Sequence, residues 1–251
     1  MFAWGKVRPL LFVALGAVSC LQARVIRVPQ VAFRQFYTLG QHGRVAIQNL
    51  YGDVSITAWD REDVLVEAIK RAPSRKGLDD AQVIVEPSVG ALSIRTLYAG
   101  NETGRPASVE YRITVPRGTT LEEVRLINGG LSISGISGPV KALAVNGGIH
   151  AERLGGRAEL TTVNGALDAD FEQVERARSI SLSSVNGPIR LAIPLAAGAS
   201  LSAHNRSGGI DSQFGRVSRE QDGQRLHAVV NRGGAQIRLE NVNGGIWIRA
   251  L

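Results

Sequence analysis

The feature that most constrains this chain is a recurring Asn-Gly pair that keeps the same neighbours in every copy. The clearest copies are LINGGLSISGISG, AVNGGIHAERLGG, TTVNGALDADFE, SSVNGPIRLAIP and ENVNGGIWIRAL. They set Asn128, Asn146, Asn164, Asn186 and Asn243 in one column, each followed by glycine. Three residues on stand Leu131, Ile149, Leu167, Ile189 and Ile246; five on stand Ile133, Ala151, Ala169, Leu191 and Ile248. Four residues back stand Val124, Ala142, Leu160, Leu182 and Leu239, and Ile127, Val145, Val163, Val185 and Val242 come just before the Asn. The residues between the two columns after the turn are mostly polar: Ser132, His150, Asp168 and Arg190, with Trp247 the apolar exception. Period-two alternation on both sides of a tight turn describes two half-buried strands. The turn calls for positive φ, which glycine supplies and Asn tolerates.

Weaker copies extend the pattern. Ser207-Gly208-Gly209-Ile210 and Tyr51-Gly52-Asp53-Val54 fit it, and Val83, Val85, Leu92 and Ile94 flank Gly90 at the same offsets. Leu251 falls in the column of Ile136 and Leu154. Second turns lie at Gly135–Gly138 and Gly155-Gly156, and such glycine density leaves room only for short helices, at Leu78–Ala81 and Phe171–Arg178. Two architectures share these columns. In a meander each Asn-Gly closes a hairpin; in a solenoid each is a corner, successive copies stack in parallel, and the Asn residues form a ladder. The spacing of 18 residues between the first three copies favours the solenoid, because stacked rungs must match in perimeter. The expected fold is therefore all-β: a repetitive β-solenoid-like stack over residues 120–251. Antiparallel strands in residues 24–119 begin or cap it, since an open end would expose unpaired edges.

The chain opens with Lys6 and Arg8, then the apolar run PLLFVALGAV, then small residues. That order predicts a signal peptide over residues 1–23, with a run too short to span a bilayer comfortably. Two processing routes are open: cleavage after Ala23, or lipidation at Cys20 in the lipobox-like Ala17-Val18-Ser19-Cys20. Cys20 is the only cysteine, so the mature chain holds no internal disulfide and relies on core packing. The expected localisation is exported: periplasm, outer membrane-anchored or cell surface, with the membrane reached only through a lipid at Cys20. The net charge is +7, mostly arginine, spread without a dense basic block. Nucleic acid is not an expected partner of an exported chain with 5% aromatic residues, which offer no stacking platform.

The exported leader, GDVSITAWD, a strand ending in TVPRG, and serial NGG-I, NGA-L and NGP-I copies together resemble the bacterial "putative adhesin" domain of unknown function. This is a β-solenoid-like family of envelope proteins, and the resemblance runs over roughly residues 40 to 251. It implies a cell-envelope or surface location and assigns no catalytic or ligand residue.

The residues themselves show no catalytic motif. His42, His150, His204 and His227 lie at no metal-ligand spacing, so no metal and no cofactor is expected, and His150 and His204 read as exposed residues near turns. Asp168, Asp170 and Glu172 share a strand face, either as plain solvent face or as an edge for calcium or sugar. A β-helix lyase or glycosidase would need paired carboxylates or a carboxylate with a basic partner; Asp168, Asp170 and Arg190 are the residues that could supply them. Trp59, Trp247, Tyr51, Tyr98 and Tyr111 could stack on sugar rings, with Trp247 foremost because its column is otherwise polar. The sequence reading is a non-enzymatic, adhesin-like or scaffolding envelope protein. Its partner would be a glycan, the cell wall or another envelope protein, and its ligand-binding candidates are Trp247, Asp168, Asp170 and Arg190. The competing readings are a carbohydrate-active β-helix enzyme and a signalling scaffold without a small ligand.

Overall fold

A computed structural model describes residues 30–99, 106–215, 217–220 and 223–251. The leader and Cys20 lie outside them. Strands β1 (Gln30–Thr38), β2 (Arg44–Tyr51), β3 (Val54–Trp59) and β4 (Asp63–Arg71) precede a short helix, α1 (Arg75–Asp80). Next come β5 (Ala81–Ser88), β6 (Ala91–Tyr98) and β7 (Ser108–Pro116). The Asn-Gly copies then give β8 (Thr120–Asn128) with β9 (Leu131–Ser134), and β10 (Val140–Asn146) with β11 (Ile149–Leu154). They continue with β12 (Ala158–Asn164) and β13 (Leu167–Phe171), then β14 (Ser179–Asn186) and β15 (Ile189–Ile193). The chain ends with β16 (Ala199–Ser207), β17 (Ile210–Ser212), β18 (Val217–Glu220), β19 (Gly223–Val230), β20 (Ala235–Asn243) and β21 (Ile246–Ala250).

Each Asn-Gly is a corner between two sheets, so the fold is the solenoid and not the meander. Among the described residues one sheet has ten strands, in the order β1-β4-β7-β3-β9-β11-β13-β15-β21-β17. The other has eleven, in the order β18-β19-β16-β20-β14-β12-β10-β8-β2-β6-β5. A rung is one strand from each sheet joined at a corner. The rungs β2–β3 through β14–β15 pair in parallel with their neighbours, so equal columns stack: Ile133 on Ala151, Leu160 on Leu182. The core lies between the sheets and is made of these columns, fully buried at Ile47, Ile56, Leu126, Ile133 and Ile149. Among the described residues, three of the four sheet edges carry antiparallel strands: β4 and β1 beyond β7, β5 beyond β6, and β19 and β18 beyond β16; the fourth edge is β17, parallel to β21.

At the corners glycine is required by the next rung. A Cβ on Gly147 would collide with the carbonyl oxygen of Gly129, although Gly147 is not in the left-handed region. Positive φ, the sequence-based reason for this column, is therefore not what excludes a side chain at Gly147. Beside the glycines runs the Asn ladder. Asn146 Nδ2 donates to Asn128 Oδ1, Asn164 to Asn146, Asn186 to Asn164 and Asn243 to Asn186, each at 2.9 Å.

Several expectations are corrected. The apolar column just before the Asn, to which the sequence assigned no face, points outward: Val145 and Val163 are half-buried, Val185 and Val242 exposed. The inward position is the one before it, held by Leu126, Ala144, Thr162, Ser184 and Asn241. Polar residues are tolerated there because they satisfy buried corner carbonyls: Thr162 Oγ1 donates to Gly147 O at 2.9 Å and Ser184 Oγ to Gly187 O at 3.2 Å. Gly90 is a hairpin turn, not a corner, since β5 and β6 pair antiparallel within one sheet. Copies stack in chain order only as far as β14–β15. The last copy, β20–β21, then lies between β14–β15 and β16–β17. Leu251 is exposed, although Ile136 and Leu154 of the same column are buried. The helix falls at Arg75–Asp80, capped by Ser74; Phe171 ends β13, and residues 172–178 form bends and turns instead.

Candidate functional site

In the ten-stranded sheet, outward residues of equal register form rows across the strands. One row runs Arg112, Ser55, Ser132, His150, Asp168, Arg190, Trp247 and Asp211, from β7 to β17. At the usual strand spacing it extends about 34 Å. It carries mixed functional groups on a rigid support, because every second residue of each strand is pinned in the core.

Two shallow, open depressions lie along this row and share His150 and Asp168. One, of ≈ 460 Å³, is lined by His150, Asp168, Asp170, Arg190, Trp247 and Arg249 among others. The second, of ≈ 380 Å³, adjoins it and includes Asp53, Ser55, Glu110, Arg112 and Ser132. All four ligand-binding candidates of the sequence thus line one depression. Arg190 stands between two of them: its Nη1 donates to Asp168 Oδ1 at 2.9 Å, and its guanidinium lies 5.5 Å from the Trp247 ring centroid. Both contacts follow from register, since Asp168 pairs with Arg190 and Arg190 with Trp247. The indole of Trp247 folds back over Gly245, where any side chain would strike the ring.

Asp170 is engaged differently. Its Oδ1 accepts the backbone N–H of Arg153 at 2.6 Å, at the bulge where Arg153 takes φ 51°. Its primary contact is with the irregular backbone of β11. The remaining charged groups are also paired. His150 Nε2 lies 2.7 Å from Glu152 Oε1, and Arg249 Nη2 donates to Asp211 Oδ2 at 2.6 Å. The hydrogen bond from Arg249 holds the Asp211 carboxyl below the usual carboxylate range.

Sequence reasoning missed Arg249, Asp211, Glu152 and Arg112. Their shared outward parity was a signal, but no single residue type marked them. Other candidates are placed elsewhere. Tyr111 is fully buried, its hydroxyl 2.8 Å from Thr96 Oγ1, so it cannot stack on a ligand. Tyr51 and Tyr98 meet edge to face at 5.6 Å. Trp59 stacks on Phe36 at 6.3 Å under the guanidinium of Arg61, away from both depressions. His204 is half-buried, with Nε2 shut off from solvent. Among the described residues no group of three or more His, Cys, Asp or Glu could hold a metal ion, and no helix is long and apolar enough to cross a membrane.

One family model, Toastrack DUF4097, matches residues 25–249. The chain belongs to the Toastrack DUF4097 family. No curated protein matches it in sequence. Among solved structures it is similar to a "putative cell adhesion protein" from Clostridium sporogenes, with 9% identity and a TM-score of 0.48, covering 89% of this chain and 100% of that one. A "putative adhesin" from Bacteroides fragilis shows 10% identity and a TM-score of 0.31, over 88% of this chain and 97% of that one. Another from Parabacteroides merdae shows 9% and 0.34, over 88% and 96%. Likeness at this level assigns neither ligand nor activity.

Proposed function

We propose that this Toastrack protein is a non-catalytic binding protein of the cell envelope or surface, and that the outer face of its ten-stranded sheet holds an extended, uncharged glycan. The observation that carries this reading is the cluster of Asp168, Arg190 and Trp247 in an open depression along one outward row of the sheet. The indole offers apolar surface, and the carboxylate–guanidinium pair of Asp168 and Arg190 beside it offers oriented acceptors and donors for hydroxyl groups.

The preference for an uncharged ligand follows from the pairing. Arg190 is partnered by Asp168, Arg249 by Asp211, and His150 faces Glu152. A polyanion would have to break these pairs or meet their carboxylates, whereas hydroxyl groups can bond to the free edges of both partners. The non-catalytic reading rests on the carboxylates. Glycoside cleavage needs two of them in separate roles on either side of the scissile bond. Here Asp168 bonds to a guanidinium and Asp170 to a backbone amide, and both lie on one strand face.

The test is binding of the purified protein to a panel of neutral and acidic polysaccharides, with product analysis on every hit. The expected result is saturable binding of neutral polymers without new chain ends, weakened at least about tenfold by Trp247→Ala, or about 1.4 kcal/mol. New chain ends would overturn the non-catalytic reading. Binding confined to acidic polymers would overturn the charge reasoning, and binding indifferent to Trp247→Ala would place the ligand elsewhere.

A further inference from the structure

An Asn-Gly pair is chemically labile. Glycine has no side chain to keep its nitrogen away from the Asn side-chain carbon, so that nitrogen can attack Cγ and displace the amide. The chain has five such pairs, at Asn128, Asn146, Asn164, Asn186 and Asn243, and every one stands at a corner of the stack. Each Asn is preceded by Ile or Val, so the local sequence gives the five nearly the same reactivity. Any difference between them comes from the fold.

The fold restrains the reaction at both of its atoms. Each glycine N–H is tied to a carbonyl of the neighbouring rung: Gly129 to Asn146 O at 3.1 Å, Gly147 to Asn164 O at 2.9 Å, Gly165 to Asn186 O at 3.0 Å, Gly187 to Asn243 O at 2.9 Å and Gly244 to Ser207 O at 3.0 Å. These bonds do not distinguish the sites. The side-chain amide does, because it must leave the ladder before its Cγ can face the nitrogen, and the ladder has a direction. Every Nδ2 points towards the β8 end, so Asn146, Asn164 and Asn186 each hold two ladder bonds, one donated and one accepted. Asn128 accepts from Asn146 and donates to Leu50 O at 3.3 Å. Asn243 donates to Asn186, but among the described residues nothing donates to its Oδ1. Its registered neighbour on the far side is Ser207, whose shorter side chain makes no bond to it. Asn146, Asn164, Asn186 and Asn243 are all exposed, so access of water does not separate them.

We propose that Asn243 is a site of spontaneous deamidation in the folded protein, and that the reaction then passes along the ladder in one direction, to Asn186. The Gly244 nitrogen bonds to Asn243 Cγ as the bond from Cγ to Nδ2 breaks. The Gly244 proton leaves with the amide nitrogen as ammonia, and a succinimide ring remains. Water opens the ring at either carbonyl, giving aspartate or isoaspartate. The ionised carboxylate has no hydrogen to donate, so Asn186 Oδ1 loses its donor and Asn186 takes the place at the end of the ladder that Asn243 held. Asn146 keeps both of its bonds. One ladder bond fewer corresponds to about a fivefold faster reaction.

The test is peptide mass spectrometry on the full chain incubated in mildly alkaline buffer, following the conversion of each Asn-Gly peptide with time. The expected result is Asn243 about fivefold ahead of Asn146 and Asn164 in the folded protein, with all five converging in urea, where the ladder is gone. Two variants test the direction. Asn243→Asp and Asn243→Ser both remove the donor to Asn186, the second with the residue that the neighbouring rung already carries at this corner. Each should speed Asn186 about fivefold and leave Asn146 unchanged. Equal rates at Asn243 and Asn164 in the folded chain would overturn the proposal. So would an Asn186 rate that neither variant moves, or an Asn146 rate raised as much as that of Asn186.

Discussion

Replacing Gly147 by alanine separates two reasons for a corner glycine. If the corner demanded only an unusual φ, Gly147 would tolerate alanine, since it is not in the left-handed region. The structure gives a different reason: the added methyl group would strike the carbonyl oxygen of Gly129 in the rung below. To make room the two rungs must part at the corner. That strains Gly129 N–H to Asn146 O at 3.1 Å, Leu131 N–H to Gly148 O at 2.9 Å and the Asn146–Asn128 ladder bond at 2.9 Å. At about 1 kcal/mol for each bond, Gly147→Ala should cost about 3 kcal/mol. Gly209 is the internal control. It too sits at a corner, but a Cβ there meets nothing within 4 Å and its φ is not left-handed. Gly209→Ala should be neutral or stabilise by about 0.5 kcal/mol, by restricting the unfolded chain. Urea unfolding of both variants with unchanged m-values gives the comparison directly. If the two differ by less than about 0.5 kcal/mol, cross-rung contact is not what fixes glycine in this column.

Three further outcomes follow from the same structure. Asn164→Ala removes two ladder bonds, the one Asn164 donates to Asn146 and the one it accepts from Asn186, so it should cost about 1–2 kcal/mol; Asn243→Ala, which removes one such bond, should cost less, and thermal melts rank them. Burial pushes the Tyr111 hydroxyl up to about 12, so its contribution to stability is complete below pH 10 and lost as pH rises towards that value; Tyr111→Phe should flatten the alkaline limb of the unfolding profile. Glu110 is held below its ordinary value of 4.5 by the hydrogen bond from Arg71, so its contribution is present above that pH and lost as pH falls through the lowered value; Glu110→Gln should flatten the acid limb.

Much of the rung was legible in the sequence, because strand alternation is a local property. The columns of Ile149 and Ala151 were read as buried from period two alone, and Asp168 and Arg190, in consecutive copies, shared an offset that makes them neighbours in a parallel stack; Trp247 shared that offset but not the adjacency. The face of the Val145 column was not legible, for a physical reason. Valine is apolar whichever way it points, and the inward place beside it was disguised by Thr162, Ser184 and Asn241, whose polarity serves buried carbonyls that no sequence displays. Gly90 was misplaced because a hairpin and a corner look alike within a dozen residues. Tyr111 looked like a ligand platform until its burial and its bond to Thr96 were known.

What the sequence determined by itself was the unit: a strand, an Asn-Gly corner, a second strand, and the face on which most side chains of the second strand fall. These follow from backbone geometry over a few residues and hold in any copy. What only the tertiary structure decided was how the units are ordered and what meets across them. Equal columns let any rung stack on any other, so the placement of β20–β21 between β14–β15 and β16–β17 is not written in the columns. It is set by non-local terms: the short link from Val230 to Ala235, the pairing of β19 on the far side of β16, and the need to close the end with antiparallel strands. That order is also what brings Trp247 beside Arg190, fifty-seven residues earlier in the chain, and so completes the depression.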